Sequence, residues 1–488
     1  MRVLWPVFNL EVESSQYPGI MNISALLKQH DIEVKVVSAR LDAVADELKD
    51  GAPSILAYST PTPTYSYYRD LNAQLKAKFP SVLSVFGGPH PTFFPEMIEQ
   101  KDVDAVCIGE GEYPMLDLVL RAREGRPVNG IENWWVKQDG EICKNPLRPL
   151  MEDLDALPPP DHGIFREAMS PDVNQAIVIT TRGCPHRCTY CYNHVYQKLY
   201  RGKGKIVRRR SVDHVMEELR ELKAHSCRFI RFMDDLFILS PEWLAEFAPK
   251  YRTEIGLGFS CLVRANFVTH EVVKLMKEAG CYRMLLGVEA GNDRVRNEIL
   301  KRNMDREVIL NAARLIRDAG IHLVTANILA IPGGSIEDDW ETLELNVECK
   351  PDYASASLLL PFPRTEIYQM AKDMGMLEKE QIADIESSFT FGLRSPLKFE
   401  DAREKRLTEN LQKFFLLAVK FPWLKPLVRQ LIKLPQNRLF DMIYMATVNL
   451  STNLCSIPPS VGFPVLWKKL KGYARPSILW RRGTTREV

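Results

Sequence analysis

Two separate regions of this chain alternate short apolar runs with helical patterns, and this alternation constrains the fold more than any other feature. In residues 1–127 the apolar runs are separated by helix-like stretches such as 20–30 and 68–79. Strands that alternate with helices form a parallel sheet covered on both faces. The runs expected to form strands of this first sheet are 3–8, 32–37, 54–59, 82–86 and 105–108.

The second alternating region begins near residue 176 and contains six candidate strands, at 176–181, 229–233, 257–263, 283–288, 322–329 and 353–359. Six such units predict a partial barrel, because a complete (β/α)8 barrel needs eight. A hairpin signal at Asp139-Gly140 and a proline-rich tract separate the two regions. We therefore predict an α/β fold with a Rossmann-like parallel-sheet domain (1–145), a linker (146–170), a partial (β/α)6 TIM barrel (171–370) and a helical C-terminal domain (371–488).

Charge and cysteine content bear on the cellular compartment of the protein and on whether it binds nucleic acid. The 64 basic and 62 acidic residues leave a formal charge of +2, which gives no overall electrostatic attraction for nucleic acid. The N-terminal sequence lacks the pattern of a secretion signal, and no run approaches the roughly 18 apolar residues of a membrane span. We expect a cytoplasmic protein whose scattered cysteines are mostly buried thiols.

Polar and glycine-bearing loops follow three strands of the first sheet. They are Ser59-Thr60, Gly87-Gly88-Pro89-His90 and Gly109-Glu110-Gly111-Glu112. Ligands of parallel sheets bind at the carboxyl ends of the strands, so these loops are expected to converge on one binding edge.

Three cysteines are crowded into eight residues directly after the first strand of the second region. Cys184, Cys188 and Cys191 can hold an iron-sulfur cubane from a single loop, which leaves one iron without a protein ligand. The alternative is a structural zinc, which requires four ligands, and only His186 or His194 stands close enough in sequence to supply the fourth.

The loop from Thr181 to Cys191 resembles the signature of the radical S-adenosylmethionine (SAM) superfamily, Cys-x-x-x-Cys-x-aromatic-Cys. This resemblance implies a [4Fe-4S] cluster whose open iron binds SAM, and cleavage of SAM to a 5′-deoxyadenosyl radical after one-electron reduction. It also implies SAM contacts at the aromatic position of the loop and at the ends of the following strands. The residues at those positions are Tyr190, Asp234, Asp235, Arg264 and Glu289.

The N-terminal region resembles the cobalamin-binding domain that precedes the barrel in one large radical SAM subfamily. The resemblance rests on the two glycine loops, residues 86–95 and 109–112, and on residues 154–160 of the linker. It implies cobalamin contacts at Ser59, Thr60, Gly87, Gly88, Gly109, Glu110 and Gly111, because glycines let the backbone approach a flat corrin. The Asp-x-His-x-x-Gly motif that supplies a histidine to cobalt elsewhere is absent from this domain, so we expect cobalt without a protein histidine. A degenerate domain that has lost the corrin is the alternative.

The two resemblances together imply cobalamin-dependent methylation of an unactivated carbon on a small, hydrophobic substrate, with electrons from a donor such as flavodoxin or ferredoxin. The catalytic acid and base residues are not identified by any motif. An oxidising or cyclising enzyme like the anaerobic porphyrin cyclases keeps both cofactors without methyl transfer. A tRNA methylthiotransferase and a non-catalytic cobalamin or redox sensor are more distant alternatives, and the former would require further cluster cysteines in the N-terminal domain.

Two other segments invite an interpretation. Arg208-Arg209-Arg210 is expected to be either a solvated face or a contact for an anionic ligand. Residues 411–434 combine Phe414, Phe415, Phe421 and Trp423 with several cations, which suits either a cap on the barrel or an interfacial helix at a membrane. We expect the cap, in which case removing the Trp423 ring would cost about 3–5 kcal/mol.

Overall fold

The computed structural model describes residues 1–8, 10, 16–138, 140–166, 175–377 and 392–456, with side chains described as far as residue 448. Its first domain contains the strands β1 (Arg2–Val7), β2 (Glu33–Ser38), β3 (Ser54–Ser59), β4 (Leu83–Gly87), β5 (Ala105–Cys107), β6 (Trp134–Gln138) and β7 (Glu141–Lys144). They form one sheet in the order β2-β1-β3-β4-β5-β6-β7. The strands β1 to β5 are parallel, and β6 and β7 add an antiparallel hairpin around residues 138–141. Asp139 at its tip lies outside the described residues.

Helices cover both faces of this sheet, as the alternation predicts. They are α1 (Pro18–Lys28), α2 (Leu41–Leu48), α3 (Tyr65–Lys78), α4 (Pro89–Phe93) and α5 (Glu112–Arg123). Successive residues of β1 point to opposite faces, so Val3 and Trp5 join the core beneath α1 and α5 while Leu4 joins the core beneath α2 and α3. A strand buried on both faces is apolar throughout, which explains the continuous apolar runs in the sequence.

The second domain contains β8 (Gln175–Val178), β9 (Thr181–Arg182), β10 (Arg208–Arg209), β11 (Phe229–Phe232), β12 (Gly258–Val263), β13 (Cys281–Glu289), β14 (His322–Leu329) and β15 (Tyr353–Leu358). Six of these strands form an open parallel sheet in the order β8-β11-β12-β13-β14-β15, which confirms the predicted partial barrel. β9 and β10 form a separate antiparallel pair. The helices from the linker onward are α6 (Gly163–Arg166), α7 (Tyr192–Leu199), α8 (Val212–Ala224), α9 (Pro241–Lys250), α10 (His270–Ala279), α11 (Arg306–Asp318), α12 (Ile336–Cys349) and α13 (Glu366–Asp373). The domain boundaries predicted from the sequence stay predictions.

The C-terminal helices are α14 (Ala402–Lys420), α15 (Lys425–Leu431) and α16 (Arg438–Ser456); α15 packs on α14, and α14 and α16 cover the edge of the barrel at β15. Phe414 and Phe415 are buried against it. The amide of Gln412 donates to the carbonyl oxygen of Ala356 at 3.3 Å, and the hydroxyl of Tyr444 lies 3.5 Å from the same oxygen. These side chains satisfy part of the backbone that an edge strand leaves unpaired.

The expected cap is therefore confirmed for Phe414 and Phe415 but wrong for the residues that follow. The chain turns at the end of α14, and the side chains of Phe421 and Trp423 in this turn are 48% and 75% exposed. Removing the Trp423 ring consequently costs far less than removing a buried aromatic residue. None of the described helices combines the length and apolar composition needed to cross a bilayer.

Candidate active site

A cavity of about 730 Å³ lies where the carboxyl ends of both parallel sheets meet. From the first domain it is lined by residues of the three predicted loops: Ser59, Gly87, Gly88, Gly109, Glu110 and Gly111. From the barrel it is lined by Tyr190, Cys191, Asp235 and residues of α7. The structure thus brings the glycine loops and the cysteine loop, which are far apart in sequence, to one space.

Two of the glycines are required by the backbone. Gly88 has φ +92°, and a Cβ there would lie 3.0 Å from the backbone nitrogen of Thr60. Gly109 has φ +84°, and a Cβ there would lie 1.7 Å from the hydroxyl oxygen of Tyr200, which enters from the barrel domain. Gly109 therefore serves the docking of the two domains as well as the cavity. Thr60 is fully buried and its backbone pairs with Gly87 and His90, so its predicted cobalamin contact stays a prediction.

The cavity continues as an apolar slot between α1 and the first sheet. Gly19, Ile20 and Ile23 line it from α1, and Ala57 and Val85 line it from the sheet. Glycine backbone at the strand ends and apolar side chains between α1 and the sheet suit a flat macrocycle with a tail. The residues of this domain therefore fit cobalamin.

His90 is turned away from the cavity. Its ring stacks on Tyr65 at 4.0 Å and on Phe94 at 4.9 Å, and burial, with a contribution from Arg364, lowers its pKa to about 4. His214 of α8 also lines the cavity, and its Nδ1 lies 3.1 Å from a carboxylate oxygen of Asp155. That His90 does not ligate cobalt stays a prediction.

The carboxylate of Glu110 links the two domains, and its negative charge is balanced by two arginines. Its carboxylate lies 2.8 Å from Arg208 and 3.1 Å from Arg182, both of the barrel domain, and these guanidinium groups hold its pKa below the usual range despite the opposing effect of burial. Arg182 also pairs with Glu112. A contact from Glu110 to cobalamin stays a prediction, because the ion pairs account for its position.

The basic run 208–210 is not a solvated face, and its contact with an anionic ligand stays a prediction, since Arg208 and Arg210 line the cavity. Arg208 is buried against Glu110, Arg210 is buried against Glu218, and the guanidinium of Arg209 lies 4.5 Å from the ring centre of Trp243. These cations are internal partners because burial requires each to find a carboxylate or an aromatic face.

The cysteine loop is held in place by hydrogen bonds with Ile299 and Gln197. The hydroxyl of Thr189 donates to the carbonyl of Ile299 at 2.8 Å, and the amide of Gln197 donates to the carbonyls of Cys184 and His186 at 2.8 and 2.9 Å. Burial raises the pKa of Cys184 to about 11, so the thiol stays protonated until a metal displaces the proton.

Two buried arginines converge on Cys188. Nη1 of Arg264 lies 3.8 Å and Nη1 of Arg302 lies 3.7 Å from its sulfur. Glu289, whose carboxylate is 3.8 Å from Arg302, is the one carboxylate of the described residues within 4 Å of this pair. Buried cations without a matching anion are costly, and a metal-bound thiolate would supply the missing negative charge. This pair of cations therefore fits the anionic cluster that the three cysteines would hold.

The predicted SAM contacts are gathered on the same side of the barrel. Arg302 donates to the hydroxyl of Tyr190 at 3.2 Å, and Glu289 and Arg264 complete the group around Cys188. Glu289 has φ +67°, a left-handed conformation that a non-glycine residue rarely adopts, and burial raises its pKa. Strain and burial of this kind concentrate at functional sites. The roles of Tyr190, Arg264 and Glu289 toward SAM stay predictions.

The adjacent carboxylates Asp234 and Asp235 point in different directions. Oδ1 of Asp234 accepts hydrogen bonds from the backbone nitrogen and hydroxyl of Thr180, at 2.8 and 2.9 Å, and from the backbone nitrogen of Thr181 at 2.5 Å. Asp234 thus fixes the start of the cysteine loop and does not line the cavity, whereas Asp235 does. Of the two, Asp235 is placed to meet a ligand.

Sequence comparison identifies both domains. Residues 178–345 match the family model of the Radical SAM superfamily, and residues 14–119 match that of the B12 binding domain, together more than half of the chain. The chain is a radical SAM enzyme with a B12-binding domain. This confirms the [4Fe-4S] cluster, SAM and cobalamin as its cofactors.

Relatives of this radical SAM enzyme are similar to it over most of its length. It is 29% identical over 297 residues to "Uncharacterized methyltransferase PH0819" of Pyrococcus horikoshii, covering 60% of this chain and 63% of that protein. It is 25% identical over 408 residues to an anaerobic magnesium-protoporphyrin IX monomethyl ester cyclase of Rubrivivax gelatinosus, covering 79% and 70%. The structure of the cobalamin-dependent SAM radical enzyme OxsB with aqua-cobalamin and SAM bound superposes with a TM-score of 0.69 at 17% identity, covering 97% of this chain and 75% of that one.

Sequence reasoning missed Arg302 and the aromatic residues beside the cysteine loop. Arg302 lies in the segment Lys301-Arg302-Asn303, where no motif or periodicity distinguishes it from a surface cation. Only the fold brings it to Cys188, which is 114 residues away in sequence. Tyr192 directly follows the last cysteine, and this position was the one available signal that it would line the site.

Proposed function

We propose that this radical SAM enzyme transfers a methyl group to an unactivated carbon of a bulky hydrophobic substrate. The observation that supports the proposal most strongly is the shared cavity, which is lined by the cobalamin-domain loops on one side and by the cysteine loop on the other. Proximity of this kind lets two cofactors act on one bound molecule. When bound, SAM at the cluster supplies a radical initiator and cobalamin supplies a methyl carrier.

Aromatic side chains next to the cysteine loop support a hydrophobic substrate. Phe93 of the first domain stacks on Tyr192 with ring centres 4.2 Å apart and planes 6° apart. Phe362, which follows the last barrel strand, lies 5.4 Å from Tyr192. All three line the cavity. They present apolar surface to a substrate and exclude water from the reacting carbon.

Turnover with SAM carrying a deuterated methyl group tests the proposal. The anaerobically reconstituted enzyme is supplied with cobalamin, a low-potential reductant and candidate lipids, porphyrins and peptides, and the products are analysed by mass spectrometry. We expect the deuterated methyl group on the product. A product that is oxidised or cyclised without the label would favour cyclase-like chemistry, and the absence of SAM cleavage would favour a sensor. The Cys188→Ala variant is the control, because a cluster with only three cysteine ligands should not survive the loss of one.

An acidic electron-transfer protein such as flavodoxin or ferredoxin fits the surface around the cysteine loop. Residues 183–212 contain no acidic residue, and Arg187, Lys198 and Arg201 among them are exposed. Opposite charge accelerates encounter between redox partners. We expect the variant Arg187→Glu with Lys198→Glu to slow cluster reduction by flavodoxin and to leave reduction by dithionite unchanged. Equal slowing with both reductants would contradict this docking surface.

The exposed apolar residues beyond α14 support peripheral contact with an anionic membrane. This surface, termed the tail patch, comprises Phe421, Trp423, Leu427, Leu434, Leu439 and Met442. Arg429 and Lys433 lie in the same segment and are exposed. Apolar side chains with nearby cations are typical of interfacial helices.

Sedimentation with phosphatidylserine-containing vesicles tests this contact. Binding should weaken with added salt, because part of the attraction is electrostatic. Trp423→Ala should reduce binding, whereas Met374→Ala, which removes an exposed apolar side chain outside the patch, should not. A parent protein that ignores these vesicles would contradict the proposal.

A further inference from the structure

Arg302 lies in a turn with an unusual backbone conformation, which points to a specific role for its side chain. The residues on both sides of it, Lys301 and Asn303, have φ +52° and φ +48°, so the backbone is left-handed before and after it. Asparagine adopts this conformation readily, whereas lysine rarely does. This turn directs the Arg302 side chain inward while that of Lys301 stays exposed. Strain of this kind is retained when the surrounding structure needs the geometry.

The turn is also locked from the inside. The backbone nitrogen of Arg302 donates to the carbonyl of Arg296 at 2.9 Å, and Nη2 donates to the carbonyl of Gly287 at 2.6 Å. The buried guanidinium of Arg296 in turn donates to the carbonyls of Met304 and Ala290 at 2.7 and 2.9 Å. Arg302 is therefore fixed before any cofactor binds, with Nη1 toward the sulfur of Cys188 and Nε buried without a hydrogen-bond partner among the described residues.

We propose that Arg302, together with Arg264, sets the reduction potential of the cluster by placing two buried positive charges against the Cys188 ligand. Reduction adds one negative charge to the cluster, and nearby cations stabilise that charge. Hydrogen bonds to the sulfur ligands and local net charge are the levers by which proteins tune such clusters. Since Glu289 offsets only one of the two cations, the pair retains one positive charge for the cluster. Arg302 is thus a positioning residue that acts through Cys188 and that also orients Tyr190.

The proposal rests on the cluster and not on methyl transfer, so the test uses the reconstituted enzyme without SAM, cobalamin or substrate. The midpoint potential is measured by redox titration followed by electron paramagnetic resonance, and iron and sulfide content are measured in each variant. Arg302→Met should shift the potential to a more negative value, and Arg302→Lys, which keeps the charge, should restore part of the shift. Lys301→Met is the matched control: it removes the neighbouring charge, which is exposed and screened by solvent, and should leave the potential in place.

An Arg302→Met protein that binds a full cluster at the parent potential would overturn the proposal. If that variant fails to take up a cluster, Arg264→Met removes the other cation and decides the question. A more negative potential in Arg264→Met supports the paired action of the two arginines, and an unchanged one overturns it. A shift of equal size in Lys301→Met would also overturn it, because a general loss of surface charge would then explain the effect.

Discussion

Replacing Gly109 with alanine tests how the two domains meet. The left-handed backbone at Gly109 would cost an alanine roughly 1–2 kcal/mol. The new Cβ would also lie 1.7 Å from the hydroxyl oxygen and 2.7 Å from Cζ of Tyr200, far inside contact distance. Because Tyr200 is buried, it cannot simply swing into solvent, and forced overpacking adds about 1–3 kcal/mol. We expect Gly109→Ala to lower the free energy of unfolding by about 2–5 kcal/mol.

Guanidinium-induced unfolding, followed by circular dichroism and tryptophan fluorescence, measures this loss. Gly125→Ala separates the two contributions, because Gly125 has φ +68° but a Cβ there would meet no heavy atom of the described residues within 4 Å. It should lose only the backbone part, about 1–2 kcal/mol. Shortening Tyr200 to alanine should make Gly109→Ala less costly, with a coupling energy of about 1–3 kcal/mol. Equal losses for the two glycine variants, or no coupling to Tyr200, would refute the reasoning.

Three further predictions concern single side chains. Asp235→Asn should weaken SAM binding by roughly tenfold or more, as expected for loss of a charged hydrogen bond, while Asp234→Asn should leave the Kd nearly unchanged. Calorimetry with SAM measures the Kd of both variants. A loss of SAM binding in Asp234→Asn alone would show that Asp234, and not Asp235, contacts SAM. His90→Ala and His214→Ala should leave the axial nitrogen coupling of bound cob(II)alamin unaltered in electron paramagnetic resonance; a coupling present in the parent and lost in either variant would identify a cobalt ligand. Burial raises the pKa of Asp339 to about 7, so the folded chain holds this proton more tightly than the unfolded chain, and the free energy of unfolding should fall as pH rises from about 4 to about 7. Asp339→Asn should flatten that dependence, and an identical pH profile would contradict it.

The central strands of both sheets were predictable because they are buried on both faces. The run at 322–329 coincides with β14, and those at 54–59 and 229–233 differ from the observed strands by no more than a residue. Such runs carry their signal locally, and the alternation with helices then permits few topologies. The cysteine loop was equally predictable from the sequence, since all three ligands lie within one short segment.

The remaining features depend on the direction and burial of individual side chains, which the local sequence does not determine. Asp234 and Asp235 are chemically identical neighbours, and only the backbone turn after β11 decides which one enters the cavity. The sequence alone would place Arg208 on the surface, because its partner Glu110 belongs to another domain and only the fold brings the two together. Trp423 and the buried Phe415 are both aromatic residues in an apolar stretch of sequence. However, α14 ends before Trp423 and leaves its side chain exposed.

The central claim is that the cluster and cobalamin face one cavity, and the magnetic interaction between them tests it directly. In the enzyme loaded with both cofactors, pulsed electron paramagnetic resonance measures the relaxation of cob(II)alamin before and after reduction of the cluster. The cavity predicts strongly enhanced relaxation of cob(II)alamin when the cluster is reduced, and loss of that enhancement in Cys188→Ala. Relaxation of cob(II)alamin that is unaffected by a fully reduced cluster would contradict the account.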